Sequence, residues 1–457
     1  MSGAATREKR VVVLVGGGSA FTPALVSALC DRKGDLPPLE LRLVGRDPAR
    51  VATIARFSRG HAVSRGADFE IVGGTSLDQA LPGAAIVVNQ MRVGGFAGRS
   101  HDETFPLRYG LPGDETIGPG GLANAIRSAP ATLALARKVE AIAPEAFFLQ
   151  LSNPMSILLQ VIRLALGPAV RRGDSLRFFG LCELPQRTLD VAAHRLGIEG
   201  PLDGDYFGVN HQGFFTAIRE PREARRNLLP ELARRLREFG DDRFLRFSGD
   251  YLEQHQLLPL HYFRLLIDPA ACAAESLKKT TDRGRELAAL ADELFDFYAA
   301  NGGARLPEEV TRREMPWNAL ATVPAIVALL GGPPAQLFAT VADRADLGEK
   351  PGFGAIEQRM RIDARGATPM QHHYERLHRL DLCRAQLEYF ELLRDLGRFE
   401  RFATVAAHHA CIAPDDRQTL RGLARTALLS HPLMERPELS ERLLDEILAD
   451  VPGPPPP

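Results

Sequence analysis

Five short apolar runs, each closed on its carboxyl side by a glycine or a polar residue, constrain the fold of this chain more than any other feature. Residues 11–15, 41–44, 86–89, 146–151 and 178–181 are nearly unbroken hydrophobic stretches, the kind a parallel sheet buries on both faces. Helical stretches such as 129–142 lie between them. Strand and helix in alternation predict an α/β fold built on a Rossmann-like, doubly wound parallel sheet. Such sheets take their ligands in the crevice outside the carboxyl ends of the strands, so the chemistry is expected where the runs stop.

Past about residue 205 the text changes to longer helical stretches rich in Arg, Leu and Glu, with strand candidates at 206–209 and 336–341. This predicts a dinucleotide-binding domain over 1–204, a mixed, mainly helical α+β domain for substrate, metal and oligomer contacts over 205–450, and a disordered proline-rich tail at 451–457. The charge-free stretch 315–342 is broken by Pro324 and by Gly331-Gly332-Pro333-Pro334, and so predicts a buried helix followed by a strand rather than a membrane span. Hydrophobic residues at 45% and charged residues at 25% suit a folded globular protein. With 56 Lys and Arg against 57 Asp and Glu, no general field favours a nucleic acid, and any anionic ligand must be met by a few placed arginines. Five cysteines without CxxC spacing, and a polar start before the first strand, predict a reduced, cytoplasmic protein.

The first run ends in Gly16-Gly17-Gly18-Ser19-Ala20-Phe21. Glycines between a strand and a helix let the backbone approach a pyrophosphate at the helix N-terminus. Phe21 stands where GxGxxG has its third glycine, and a plain tight turn is the competing reading. The second run ends in Gly45-Arg46-Asp47. Asp47 suits the ribose of NAD, whereas Arg46 suits the 2′-phosphate of NADP or simply solvent, so both cofactors stay open. Arg92 after the third strand suits bidentate binding of an anion, and Asn153 after the fourth suits cofactor and sugar hydroxyls. Together these strand ends resemble the lactate/malate dehydrogenase superfamily. Cys182 and His211 follow two further strands, where thiol and imidazole could share a metal or could be a buried cysteine and a hydrogen-bonded histidine.

Arg92-Val-Gly-Gly95, the run from Gly113 through Asp114 and Glu115 to Gly121, Ser152-Asn-Pro154, Gly180-Leu-Cys182 and Asn210-His211 stand in the order found in glycoside hydrolase family 4. The chain resembles that family densely to about residue 220 and patchily beyond. Residues 16–23 look most like its 6-phospho-glycosidase branch, and 427–433 are similar to its C-terminal helix motif.

The resemblance implies an NAD- and divalent-metal-dependent glycosidase, usually with manganese, that forms a homodimer or homotetramer. The sugar is oxidised at carbon 3 by hydride transfer, a base takes the carbon 2 proton, the aglycone is eliminated, water adds, and the hydride returns, an exception to the two-carboxylate mechanism. By match, Cys182 and His211 are the metal ligands and Tyr262, in Pro259-Leu-His-Tyr262, is the base. A tyrosine with pKa near 10 needs a cation to lower it, with His261 and Arg264 the sequence candidates for tuning it. Glu183 stands where the family carries Asp or Asn beside the metal cysteine, and would protonate the leaving group. Glu115, Asn153, Arg92 and Arg283 fall toward the sugar, with Arg92 or Arg283 on an anionic carbon 6 group. Three departures stand out: Glu183, Asp114 where Gln is common, and residues 342–345 in place of Asn-Asn-Gly. They leave a plain NAD(P)-dependent dehydrogenase with net cofactor reduction, and an inactive nucleotide-binding sensor, as the alternatives.

Overall fold

The computed structural model describes residues 9–223, 225–342, 354–370, 384–428 and 432–449. The proline-rich tail, residues 343–345 and His431 lie outside them. In chain order the strands are β1 (Arg10–Val15), β2 (Leu39–Val44), β3 (Phe69–Gly74), β4 (Ala84–Asn89), β5 (Phe147–Gln150), β6 (Arg171–Arg172), β7 (Ser175–Leu176), β8 (Phe178–Leu181), β9 (Asp203–Val209), β10 (Gln212–Arg219), β11 (Leu258–Pro259), β12 (Ala335–Val341), β13 (Ile356–Asp363) and β14 (Gly366–Pro369). All but β9 to β11 belong to one sheet of order β3-β2-β1-β4-β5-β8-β12-β13-β14-β7-β6, and the other three form a small sheet of order β11-β10-β9.

From β3 to β8 every pairing is parallel, and the order reverses direction between β1 and β4, as the doubly wound reading expects. The register brings the strand ends level. Val15 lies beside Val44 and Asn89, Asn89 beside Gln150, and Gln150 beside Gly180. All five expected strands are present, and the 129–142 stretch is the end of a longer helix, Gly118–Ile142. Stretch 315–342 forms the helix Val323–Leu329 and then β12, the expected helix-then-strand order.

Two features lie outside the sequence reading. β3 is an edge strand whose burial alternates over FEIVGG, so it lacks a continuous apolar run. β12, β13 and β14 come from the second half of the chain, yet they extend the first sheet antiparallel from β8. The main core therefore draws on both halves, with Leu14, Phe57 and Phe179 packed in one cluster with Leu294, Tyr298, Ile326 and Met360.

Local signals explain the helices that frame the crevice. Asp47 begins helix Pro48–Ser64, its Oδ1 accepting from the N–H groups of Ala49 (2.9 Å) and Arg50 (3.0 Å), with proline next in its preferred first-turn place. Helix Arg283–Ala300 crosses helix Gly95–Thr104 at Gly284, where a Cβ would stand 2.5 Å from the Ser100 nitrogen and 2.8 Å from the Phe96 oxygen. Both are backbone atoms and cannot swing aside. The helix propensity gained by alanine, about 1 kcal/mol, is therefore outweighed by overpacking. Gly284→Ala is expected to cost about 1–3 kcal/mol, read as a lower urea midpoint at unchanged slope. An equal or higher midpoint would show that the helices separate freely.

Candidate active site

The glycine turn is built by close approach. Gly16 has φ +89°, and a Cβ there would meet the Gln90 oxygen at 2.8 Å. Gly16 and Gly17 both donate to the Val44 oxygen, at 2.9 and 2.8 Å, which draws the turn against the end of β2. A Cβ on Gly17 would stand 2.8 Å from the Leu14 oxygen and from the Leu43 Cα, and one on Gly18 would stand 3.0 Å from Val51 Cγ2. Ser19 Oγ accepts from the Phe21 N–H at 3.2 Å, just before helix Thr22–Asp31. The N–H groups of Gly16, Gly17, Ser19, Phe21 and Thr22 are engaged within the fold, which leaves those of Gly18 and Ala20 to face a phosphate. Arg46 is exposed beside it, and Asp47 spends one carboxylate oxygen on the helix cap.

Beneath the crevice a buried polar ladder locks the strand ends. Asn89 donates to Gln150 Oε1 (2.9 Å), Gln150 to the Ser152 oxygen (2.9 Å), and Ser152 to the Met91 oxygen (2.6 Å). Asn124 holds the backbone oxygen of Asn153 at 3.1 Å. The Asn153 Oδ1 is buried without a hydrogen-bond partner among the described residues, so it is an acceptor in wait of a ligand donor.

Glu115 is the charge centre. Arg92 pairs with its Oε2, and Arg99 Nη1 lies 3.4 Å from its Oε1 while Arg99 Nε lies 2.7 Å from Glu103. Burial acts to raise the Glu115 carboxyl, but Arg92 and Arg99 outweigh it and hold the group well below the usual carboxylate range.

The small sheet carries the remaining groups into the crevice. His211 sits in the turn between β9 and β10 with φ +69°, a conformation uncommon for a residue with a side chain and often kept at functional sites. β11 pairs with β10, Phe214 beside Pro259, and leads into the turn His261–Phe263. This places the Tyr262 ring on the His211 ring, centroids 4.9 Å apart and 14° from parallel. The Asn210 amide reaches the Cys182 sulfur, which lies 4.0 Å from Glu183 Oε2. Cys182, Glu183, His211 and Tyr262 therefore form one group, and Arg264 pairs instead with Glu275 at 2.8 Å.

Protonation states follow from burial and neighbours. Burial, with Arg99 adding to it against Glu115, pushes His211 down to about 4, leaving the neutral imidazole a metal requires. Thr116 Oγ1 lies 3.4 Å from its Nδ1, the outer-shell contact that directs Nε2 outward. Burial, then Glu357 and Glu183, push the Cys182 thiol well up. Burial also raises Glu183, and burial with Asp114 and Glu115 raises the Tyr262 hydroxyl against the opposing pull of Arg99. One nitrogen and one sulfur beside acids that burial pushes toward protonation are donor types a divalent cation takes, and a bound cation would reverse these shifts, but among the described residues no three His, Cys, Asp or Glu side chains are grouped closely enough to hold one.

The sequence-based candidates Cys182, Glu183, His211 and Tyr262 come together, and Glu115 joins them through its charge at His211 and Tyr262. Arg283 pairs with Glu286 (3.1 Å) and is 43% exposed at its side chain. Sequence reading missed Arg99, Thr116, Arg313 and Glu357. Thr116 lies within the 113–121 run already singled out, and Arg99 is one helical turn past Gly95. Glu357, 1% exposed on β13, accepts from Tyr206 (2.8 Å) and Asn210 (3.2 Å); a lone glutamate in a strand carries no signal of that kind.

Fold and site together define a doubly wound, Rossmann-like sheet with a cysteine, a histidine and a tyrosine brought together at its edge. Two models of one family match the chain: Family 4 glycosyl hydrolase over residues 11–198, and Family 4 glycosyl hydrolase C-terminal domain over residues 206–395. The chain belongs to glycosyl hydrolase family 4. It is 31% identical over 231 residues to maltose-6'-phosphate glucosidase of Bacillus subtilis (strain 168), a match covering 50% of this chain and 49% of that protein, so the chain spans about half the length of that curated relative. The 6-phospho-beta glucosidase from Thermotoga maritima, solved with NAD and glucose-6-phosphate, superposes with TM-score 0.78 at 23% identity over 96% of this chain and 97% of that one. A 6-phospho-alpha-glucosidase from gut microorganisms, in complex with NAD and Mn2+, gives TM-score 0.78 at 21% identity, over 96% and 98%. These two likenesses show a shared fold.

Glu357 provides a test of this electrostatic reading. Burial raises its carboxyl from 4.5 to about 7, against hydrogen bonds from Tyr206 and Asn210. The folded state thus keeps a proton that the unfolded chain releases. The resulting stability is fully present below about pH 4.5 and is lost as pH rises through about 7. In the metal-free protein this term is on the order of 3 kcal/mol, and Glu357→Gln is expected to flatten that part of the urea-derived stability curve. A variant whose stability falls as steeply as the wild type's between about pH 5 and 7 would assign the titration elsewhere.

Proposed function

We propose that the protein is an NAD- and divalent-metal-dependent glycosidase that hydrolyses a glycoside bearing an anionic group, phosphate first, at carbon 6. The observation that carries this reading is the stack of Tyr262 on His211 beside Cys182 and Glu183, at the level of the glycine turn's sheet edge. A dehydrogenase needs the turn but has no use for such a group. Membership of the family and the ligands of the two solved relatives support it.

Residues 16–19 would hold the pyrophosphate, with Asn153 Oδ1 free for a sugar or cofactor hydroxyl. Cys182 and His211 would hold the cation, manganese by analogy with the solved relative. When bound, the nicotinamide supplies a hydride acceptor for carbon 3 and the cation a Lewis acid for the sugar oxygens. Tyr262 takes the carbon 2 proton, aided by Arg99, which favours its phenolate. Glu183, whose carboxyl burial pushes up from the usual carboxylate range, is the group placed to give a proton to the departing aglycone. Neutral His211 keeps its lone pair at neutral pH. A cytoplasmic homodimer or homotetramer completes the reading, supported by cysteine usage and family resemblance, and among the described residues no helix is long and apolar enough to cross a membrane.

Incubation with a 6-phospho-glycoside, NAD and Mn2+ is expected to release aglycone with no net reduced cofactor and to exchange solvent deuterium into carbon 2. Tyr262→Phe is expected to lower kcat about 10²- to 10⁴-fold and abolish the exchange, while NAD still binds by calorimetry. One equivalent of NADH per product would instead identify a dehydrogenase.

A further inference from the structure

We propose that Arg313 receives the substrate's anionic group, seated where the Phe21 and Trp317 rings meet its guanidinium. This assignment rests on the glycosidase reading and adds a residue to it.

The distribution of charge singles Arg313 out. Arg92, Arg99, Glu103 and Glu115 form a closed quartet of two cations and two anions, and Arg283 is paired with Glu286. The two arginines suggested by sequence for the anion are thus already engaged. Arg313 makes no ion pair or hydrogen bond with any described residue. Its guanidinium carbon lies 4.2 Å from the Phe21 ring centroid and 5.2 Å from that of Trp317. Arg313 is partly buried, and ring faces offset only part of the cost of withdrawing an unpaired charge from water. Burial, then Arg92 and Arg99, accordingly push Arg313 down to about 9. An incoming anion reverses that penalty.

The place is right for a sugar's far end. Phe21 closes the glycine turn and meets Phe96 edge-on at 6.4 Å. Arg92 lies 5.9 Å from the same Phe96 ring, and Gly284 packs on the Phe96 backbone. Arg313 therefore stands where the dinucleotide turn, the Arg92 loop and the start of helix Arg283–Ala300 converge. The guanidinium fork matches phosphate and carboxylate alike. The pyrophosphate of the dinucleotide has the Gly18 and Ala20 N–H groups of the glycine turn, the ones not engaged within the fold, so the anion at Arg313 is assigned to the sugar.

Trp317 is the single tryptophan of the chain, which gives a binding signal independent of turnover. With NAD and Mn2+ present, tryptophan emission is followed during titration with glucose 6-phosphate, glucose and inorganic phosphate. Glucose 6-phosphate is expected to give a saturable change at far lower concentration than glucose, and inorganic phosphate to compete. In Arg313→Gln the half-saturating concentration of glucose 6-phosphate should rise about 10- to 100-fold, with glucose and NAD affinities unchanged. Arg313→Lys, which keeps the charge and loses the fork, should fall between, and it serves if the glutamine variant does not fold. Unchanged affinity for glucose 6-phosphate in both variants overturns the assignment, as does a loss confined to NAD. The two readings fail separately: Arg313-dependent binding without hydrolysis of any 6-phospho-glycoside removes the glycosidase and keeps the anion site. Hydrolysis with Arg313-independent binding does the reverse.

Discussion

The contact on which the rest of the site depends is the burial of Glu115 between Arg92 and Arg99. It ties three separate pieces of chain together: the loop after β4, the helix Gly95–Thr104, and the 113–121 run that opens helix Gly118–Ile142. Removing one partner from a buried pair of this kind costs roughly 3–5 kcal/mol, because the other charge is left uncompensated. The Glu115 charge also acts on His211, Tyr262 and Arg313. One carboxylate thus fixes the geometry of the crevice and sets the electrostatic reference for both of its ends.

The parallel half of the fold was legible because burial on both faces writes an unbroken apolar run. β1, β2, β4, β5 and β8 are all of this type. β3 escaped because an edge strand with one solvated face reads as FEIVGG, and only Phe69 and Ile71 are buried. The joining of β12 to β8 escaped for a different reason. Strand order across some 150 residues of intervening chain is decided by tertiary packing, on which local periodicity has no bearing. The boundary near 205 marks a change of composition, and the sheet runs across it.

Site residues divided along similar lines. Those carried by local motifs, the glycine turn, Cys182 with Glu183, and His211, stand at the sheet edge or close on it. The quartet did not, because ion pairing between Arg99 and Glu115 spans chain segments whose approach no spacing rule encodes. The same holds for Arg92. A strand-end arginine reads as an anion binder, but a buried glutamate reached it first. Arg313 carried no motif at all, and only its position over two rings with no acceptor distinguishes it from a surface arginine.

These placements separate the crevice into two poles of opposite need. At one, burial pushes Cys182, Glu183, Glu357, Asp114 and Tyr262 toward their protonated forms, with Glu183 adding to the push on Cys182 and Glu357, and Asp114 to that on Tyr262, and every one of those shifts would relax around a cation. At the other, Arg313 is pushed toward its neutral form by burial and by neighbouring arginines, a shift that relaxes around an anion. Asp114 strengthens the first pole, and burial holds it near 6 even against N–H donors from Thr116 and Ile117. A neutral ligand would satisfy neither pole. A sugar with adjacent hydroxyls at one end and a phosphate at the other satisfies both, and its length then fixes which carbon faces Tyr262. On the glycosidase reading proposed above, a preference for an anionic glycoside would follow from charge separation along the crevice, in a chain whose formal net charge is only −1.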